Sequence, residues 1–160
     1  MAPVSKTAGS TVVGWREWVS LPDCDVAWVK AKIDTGARSS AIHAFDVDEV
    51  ERGGEPWVRY SIHPWQGSGE DATVVESRVL DRRMVRSSSG HSAERYVVEM
   101  AVSLAGRRVT TEMTLSRRDQ MGFRMLIGRE ALRQGFLVDP RRSYLGGRPP
   151  VAVRRQNRGR

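Results

Sequence analysis

The sequence has few of the features that mark several large classes of protein. Its single cysteine, Cys24, excludes an internal disulfide and is typical of a reducing compartment. No apolar run reaches the roughly 18 residues that predict a membrane-spanning helix, and the first ten residues lack the apolar stretch of a secretory signal. We therefore expect a cytoplasmic protein without a membrane partner.

Motifs for metal and nucleotide binding are equally scarce. A catalytic zinc site takes about three protein ligands, whereas this chain has three widely spaced histidines, His43, His63 and His91, and no His-Glu-x-x-His motif. It also lacks a glycine-rich loop ending in Lys-Ser or Lys-Thr, which would hold the phosphates of ATP. The sequence therefore predicts no metal site and no cofactor.

The net charge of +7 is distributed unevenly along the chain. Residues 146–160 carry five arginines and no acid, whereas residues 12–145 carry 20 lysines and arginines against 19 acids. A strongly basic chain is typical of nucleic-acid binding, but here the excess lies in the tail. We expect at most a weak contact with nucleic acid, made by that tail.

The dominant hydrophobic period is two residues, which predicts β-strands. A hairpin turn is expected at residues 104–107 and a short helix at residues 129–134, with Gly135 at its end. The predicted strands are short, rich in β-branched or aromatic residues, and cover residues 11–19, 26–33, 57–63, 72–79, 95–104 and 107–115. The sequence therefore predicts a small all-β domain, a barrel or two packed sheets, with one short helix near its C-terminal end.

The predicted domain covers residues 12–145. Residues 1–11 and the basic tail of residues 146–160 have almost no apolar periodicity, so we expect both to be disordered.

The most distinctive motif is Asp34-Thr35-Gly36-Ala37, at the end of an apolar-rich strand. In such a tight turn, backbone N–H groups can hold the carboxylate of Asp34 toward a cleft, with Thr35 and Gly36 shaping the loop. An ordinary Asp-Gly turn explains the same residues. About ninety residues later, Met125-Leu-Ile-Gly-Arg-Glu130 places an apolar strand before Gly128, which we expect to support the loop.

These two motifs resemble the two halves of a retropepsin-type aspartic protease. Segments 13–19, 30–43, 86–90, 125–130 and 136–140 are similar, in the same order, to a bacterial retropepsin-like family called "ATP-dependent zinc protease". The resemblance implies a small closed barrel and one catalytic aspartate per chain, Asp34, paired across a homodimer. It also implies hydrolysis of peptide or amide bonds, and some members of the family are encoded beside glutamate ligases.

Two departures from retropepsins concern charge. Arg38 stands where the retropepsin family usually has an acid that pairs with the arginine of the later Gly-Arg motif, so Arg129 needs another partner. Lys32 precedes Asp34 by two residues and shares its strand face, where a cation would lower the pKa of the carboxyl. The alternative is that Lys30 and Lys32 are both solvated.

The predicted substrate-binding residues are Lys30, Lys32, Ala37, Arg38 and Arg129. Their cations suit acidic or glutamate-rich peptides, because arginine binds carboxylates in a bidentate manner; charge pairs within the fold are the alternative. Three functions stay open. The first is a homodimeric peptide hydrolase, and the second is an inactive module that binds peptides or acidic partners on the same fold. The third is an RNA- or ribosome-associated protein.

Overall fold

The computed structural model describes residues 9–65, 72–86, 90–118 and 122–156. The described residues form twelve strands: β1 (Thr11–Val13), β2 (Arg16–Leu21), β3 (Val26–Ile33), β4 (Ser40–His43), β5 (Phe45–Arg52), β6 (Glu55–Ile62), β7 (Thr73–Arg78), β8 (Asp81–Arg86), β9 (Ser92–Leu104), β10 (Arg107–Ser116), β11 (Met125–Ile127) and β12 (Phe136–Val138). The same residues also form two short α-helices, α1 (Arg129–Leu132) and α2 (Val151–Gln156), and a 3-10 turn at Pro22–Cys24. The prediction of an all-β fold is confirmed, and α2 adds a second short helix to the one expected.

Six strands close into a barrel. They follow one another in the order β10-β4-β11-β3-β2-β9, and β9 pairs antiparallel with β10 to complete the ring. The hairpin between β9 and β10 turns at Ala105 and Gly106, whose positive φ angles of 50° and 80° match the right-handed twist of the strands. Both the predicted hairpin and the predicted closed barrel are therefore present.

Strand alternation places the core inside the barrel. In β3, Val29, Ala31 and Ile33 are buried, whereas Lys32 points out and is exposed. Two further sheets lie outside the ring: β1 pairs with β12, and β5, β6 and β7 form an antiparallel sheet whose Val58, Tyr60 and Ile62 pack on the core.

The Asp34 loop owes its position to the insertion of β11 between β3 and β4. β11 runs parallel to β3 and antiparallel to β4, so these two consecutive strands do not pair with each other. The loop that joins β3 to β4 must therefore pass over the end of β11, where α1 begins. This crossing brings the two sequence motifs together, although they lie about ninety residues apart.

A buried carboxylate fastens the C-terminal segment to the barrel. Glu17 of β2 is fully buried and accepts hydrogen bonds from the backbone N–H groups of Gly14 (2.7 Å), Leu145 (3.0 Å) and Gly146 (2.9 Å). A buried carboxylate is tolerated where such donors replace its water. Glu17 thus fixes residues on both sides of the predicted boundary at residue 145.

The termini differ in part from the sequence prediction. Within the tail, Val151–Gln156 is helical, and Val153 lines a surface cavity with Trp28 and Trp65. A helix this short depends on tertiary contacts rather than on its own periodicity, so no sequence pattern predicts it. At the other end, Thr11 already belongs to β1, paired with β12. Residues 1–8 and 157–160 lie outside the described residues. Neither helix in the described ranges is long enough to cross a membrane.

Candidate active site

Asp34 lies where β3 ends, held on both sides by backbone hydrogen bonds. Its N–H donates to the carbonyl of Ile127 (2.9 Å), and the N–H of Ile33 donates to the carbonyl of Trp15 (2.8 Å). The carboxylate Oδ1 accepts the N–H of Gly36 at 2.9 Å, and the loop closes with Ala37 N–H on the carbonyl of Asp34 at 3.2 Å. The Asp-Thr-Gly turn therefore orients a half-buried carboxylate through its own backbone.

Hydrogen bonds join the start of α1 to this loop. Gly128 N–H donates to the hydroxyl oxygen of Ser40 (3.0 Å), and Arg129 N–H donates to the carbonyl of Ala37 (2.8 Å). A Cβ on Gly128 would lie 2.4 Å from the carbonyl oxygen of Ser39 and 2.9 Å from that of Ala37. Glycine is needed at Gly128 because two backbones approach closely, which is the supporting role that the sequence predicts for it.

A Gly128→Ala variant should therefore be less stable, by about 1–3 kcal/mol, because its methyl group overlaps backbone that cannot move without breaking the loop. Urea denaturation measures the change. Gly122→Ala is the matched control, since a Cβ there meets nothing within 4 Å. Equal stability of the Gly128→Ala variant and the wild type would contradict the close approach.

The two arginines near the loop make contacts within the chain. Arg129 donates to the carbonyls of Thr35 and Gly36, each at 3.1 Å, which identifies the partner that the sequence left open. Arg38 donates to Glu130 at 2.9 Å and holds the pKa of that carboxyl below its usual value. Compared with the expected retropepsin pair, the charges are exchanged: the cation is on the loop and the acid on α1.

The two lysines predicted to bind substrate face outward from β3. The ammonium of Lys30 lies 5.7 Å from the ring centroids of both Trp18 and Phe123. Lys32 is exposed, and no ion pair joins it to Asp34 in the part of the chain that the structure describes. Residues two apart on a strand are separated by about 7 Å, so the shared face does not by itself bring Lys32 onto the carboxylate.

A cation that the sequence did not single out lies near Asp34. Arg118 follows β10, where its backbone N–H donates to His43 Nδ1 (2.9 Å) and its Nε donates to the carbonyl of Phe123 (3.2 Å). Burial lowers the pKa of the Arg118 guanidinium, and the charge of Asp34 opposes that shift. Arg118 belongs to no local motif, and only the fold brings it to His43.

The contacts of His43 and Cys24 are those of structural and not of catalytic residues. His43 is buried, and its Nδ1 accepts the N–H of Arg118, so this nitrogen holds the backbone in place. Cys24 is buried, and burial together with Asp23 and Asp25 raises the pKa of its thiol to about 11, which keeps it protonated and unreactive at neutral pH. Among the described residues, no cluster of three His, Cys, Asp or Glu side chains could hold a metal ion.

The model of a family described as "RimB-like: Retropepsin-like aspartic endopeptidase RimB" matches residues 12–149. The chain belongs to this family. The closed barrel and the Asp34 loop are therefore those of a retropepsin-like domain, as the resemblance implied.

Curated relatives carry a different name. A "Probable alpha-L-glutamate ligase" of Shewanella pealeana is 44% identical over 136 residues, which is 85% of this chain and 30% of that protein. A relative of the same name from Desulfotalea psychrophila is 36% identical over 137 residues, 86% of this chain and 30% of that protein. This chain thus spans less than a third of the length of these relatives.

A solved structure has a similar fold. The Legionella pneumophila protein Lpg0085, described as having unknown function (DUF785), superposes with a TM-score of 0.72 at 24% sequence identity. The match covers 85% of this chain and 98% of that one, so the whole barrel is shared.

Proposed function

We propose that the protein hydrolyses peptide bonds by the aspartic mechanism, with Asp34 as one half of a carboxylate pair that a second copy of the chain completes. The observation that carries the proposal is the Asp34 loop: its carboxylate is fixed by Gly36 N–H over the inserted strand β11. Membership of a family described as aspartic endopeptidases supports the same chemistry.

The reaction needs two carboxylates that differ in protonation. Like charges a few Å apart cannot both ionise cheaply, so the pair shares one proton. The ionised member removes a proton from water, whose oxygen attacks the carbonyl carbon, while the protonated member donates to the carbonyl oxygen. When the C–N bond breaks, a proton passes to the departing amine, and the pair returns to its starting state.

Each Asp34 offers one oxygen to this chemistry. Oδ1 accepts the N–H of Gly36, whereas Oδ2 receives no hydrogen bond from any residue that the structure describes. We assign the shared proton and the attacking water to the Oδ2 side of the two carboxylates. The Gly36 bond holds the carboxyl plane fixed while the proton moves.

The relatives suggest which peptides are cleaved. They are named as glutamate ligases, and this domain makes up about 30% of their length. A hydrolase joined to a ligase is well placed to act on the bonds that the ligase forms. We therefore propose glutamate-containing peptides as the substrate class.

Mixing subunits tests the pair. Dimeric enzyme reassembled from equal amounts of wild-type and Asp34→Asn chains should retain about a quarter of the wild-type activity, because only dimers with two aspartates are active. Independent monomers would retain about half. Cleavage of an oligoglutamate peptide is followed by mass spectrometry, and sedimentation equilibrium reports the dimer. A monomer without hydrolytic activity would instead favour the module that binds peptides without cutting them.

A further inference from the structure

The outer face of β2 and β3 carries positive charge and no acid. Alternation along the two strands turns six side chains away from the barrel interior, namely Arg16, Trp18, Ser20, Trp28, Lys30 and Lys32. The one acid of these strands, Glu17, is buried inside, where its oxygens accept backbone N–H groups. This face of the barrel therefore has an uncompensated excess of cations.

Two segments from elsewhere in the chain add aromatic rings to this face. Tyr144, after β12, is fixed by its N–H, which donates to the carbonyl of Arg16 at 3.0 Å. Phe123, before β11, makes an edge-to-face contact with Trp15, and the ring centroids are 6.1 Å apart. With Trp18 of β2, the fold gathers four rings, which we call the aromatic patch: Trp15, Trp18, Phe123 and Tyr144.

Two arginines stack on the aromatic patch. The guanidinium carbon of Arg16 lies 4.6 Å from the ring centroid of Trp15 and 4.8 Å from that of Tyr144, and its Nε donates to the hydroxyl of Ser143 at 3.2 Å. The guanidinium carbon of Arg148 lies 4.5 Å from the centroid of Tyr144. Aromatic rings and guanidinium planes are both surfaces on which nucleic-acid bases stack.

Lys30 connects the other two rings. Its ammonium lies 5.7 Å from the ring centroids of both Trp18 and Phe123. Trp18 in turn contacts Tyr144, with centroids 6.4 Å apart. The contacts therefore close into one continuous surface, in which cations join the rings, and are not scattered pairs.

The cations of this surface are available to an anionic partner. No ion pair within the described part of the chain includes Arg16, Lys32 or Arg148. Arg16 and Lys32 lie directly opposite each other in the antiparallel register, where like charges destabilise a strand pair. Trp15 is 37% exposed, and Arg148 is exposed as well. A polyanion on this face would relieve the repulsion and reach the rings at the same time.

We propose that the aromatic patch binds single-stranded nucleic acid, with bases stacked on Trp15, Tyr144 and the Arg16 guanidinium and with phosphates at Lys32 and Arg148. Rings interleaved with cations match a ligand in which every unit has both a flat base and a phosphate. An acidic peptide would use the cations alone. This contact lies on the folded face of the barrel and takes only Arg148 from the basic tail, and it does not rest on the proposed hydrolysis.

Fluorescence anisotropy of the full chain with a labelled oligouridylate of about 12 nucleotides tests the proposal. Trp15→Ala should raise Kd about 5- to 100-fold because a stacked base loses its ring, and Trp15→Phe should recover most of the affinity. Arg148→Gln should raise Kd about 3- to 10-fold and reduce the slope of log Kd against log salt by about 0.7. The matched control is Arg59→Gln, which removes an exposed arginine that lies opposite Asp48 in the β5–β6 register, and should change Kd less than about twofold.

Two further probes separate stacking from the attraction of charge alone. Double-stranded RNA of the same length should bind at least about tenfold more weakly, because its bases are already stacked on one another. Oligothymidylate should bind as oligouridylate does if the patch reads the shared chemistry, and more weakly if it reads the 2′-hydroxyl groups of RNA. Either result supports a site for single strands.

Three results would overturn the inference. The first is no binding of either single strand by the wild type at about 50 mM salt. The second is unchanged oligouridylate binding by both Trp15→Ala and Arg148→Gln proteins that melt like the wild type. The third is equal competition by an oligoglutamate of the same charge, which would show that the rings contribute nothing. Sedimentation equilibrium of the same variants identifies the other occupant of this face: a dimer lost with binding unchanged would make the patch an interface between copies.

Discussion

An Asp34→Asn variant is expected to lose peptide hydrolysis, with kcat lower by about a thousandfold or more. Asparagine has the same shape, and its side-chain oxygen still accepts the N–H of Gly36, so the loop should keep its geometry. The amide can neither take a proton from water nor share one with the partner carboxylate. The loss is therefore chemical and not structural.

Peptide cleavage measures the loss of chemistry, and thermal unfolding measures whether the fold is kept. The melting temperature should stay close to that of the wild type. Asp25→Asn removes another carboxylate, exposed and in a left-handed backbone conformation that asparagine tolerates, and should leave cleavage within about twofold. If Asp34→Asn kept a tenth or more of the activity, Asp34 would not be the catalytic group.

A Glu17→Ala variant is expected to be less stable by about 3–5 kcal/mol, the largest stability loss that we expect from a single substitution in this chain. The change leaves three backbone N–H groups, those of Gly14, Leu145 and Gly146, without their acceptor. It also opens a cavity at a fully buried position. The C-terminal segment should detach from β2 before the barrel unfolds.

Urea denaturation measures the loss, and limited trypsin digestion follows the release of the arginine-rich segment. The stability of Glu17→Gln should lie between that of Glu17→Ala and that of the wild type, since one of the two oxygens becomes an NH₂ that faces a donor. Glu99→Ala is the control for loss of an exposed glutamate and should stay within about 0.5 kcal/mol of the wild type. A Glu17→Ala protein as stable as this control would show that Glu17 does not hold the segment.

Much of the barrel could be predicted because local chemistry dictates it. Alternation in Val26–Ile33 buries one face of β3 and leaves Lys32 outside. The hairpin at Ala105 and Gly106 and the short helix after Gly128 each follow from turn and cap preferences of single residues, although α1 ends at Leu132 and not at the expected residue before Gly135. The predicted contact of the basic tail with nucleic acid stays a prediction.

The candidate site could be predicted only in part. The Asp34 loop is a contiguous motif, so its backbone turn was visible in the sequence. The exchange of charges between Arg38 and Glu130, and the use of Arg129 to hold the loop, depend on which groups α1 brings within reach. Of the two alternatives that the sequence leaves open for Lys32, its exposure agrees with the solvated one, since a shared strand face does not by itself amount to contact.

The strand pattern, the Asp34 turn and the glycine that lets α1 approach it can be read from the sequence, because each is set by neighbouring residues. Which distant groups meet depends on how the barrel closes. Arg118 reaches His43, and Glu17 reaches Gly146, through pairings of strands far apart in the chain. Neither contact has a local signal in the sequence, because these groups meet only when the barrel closes.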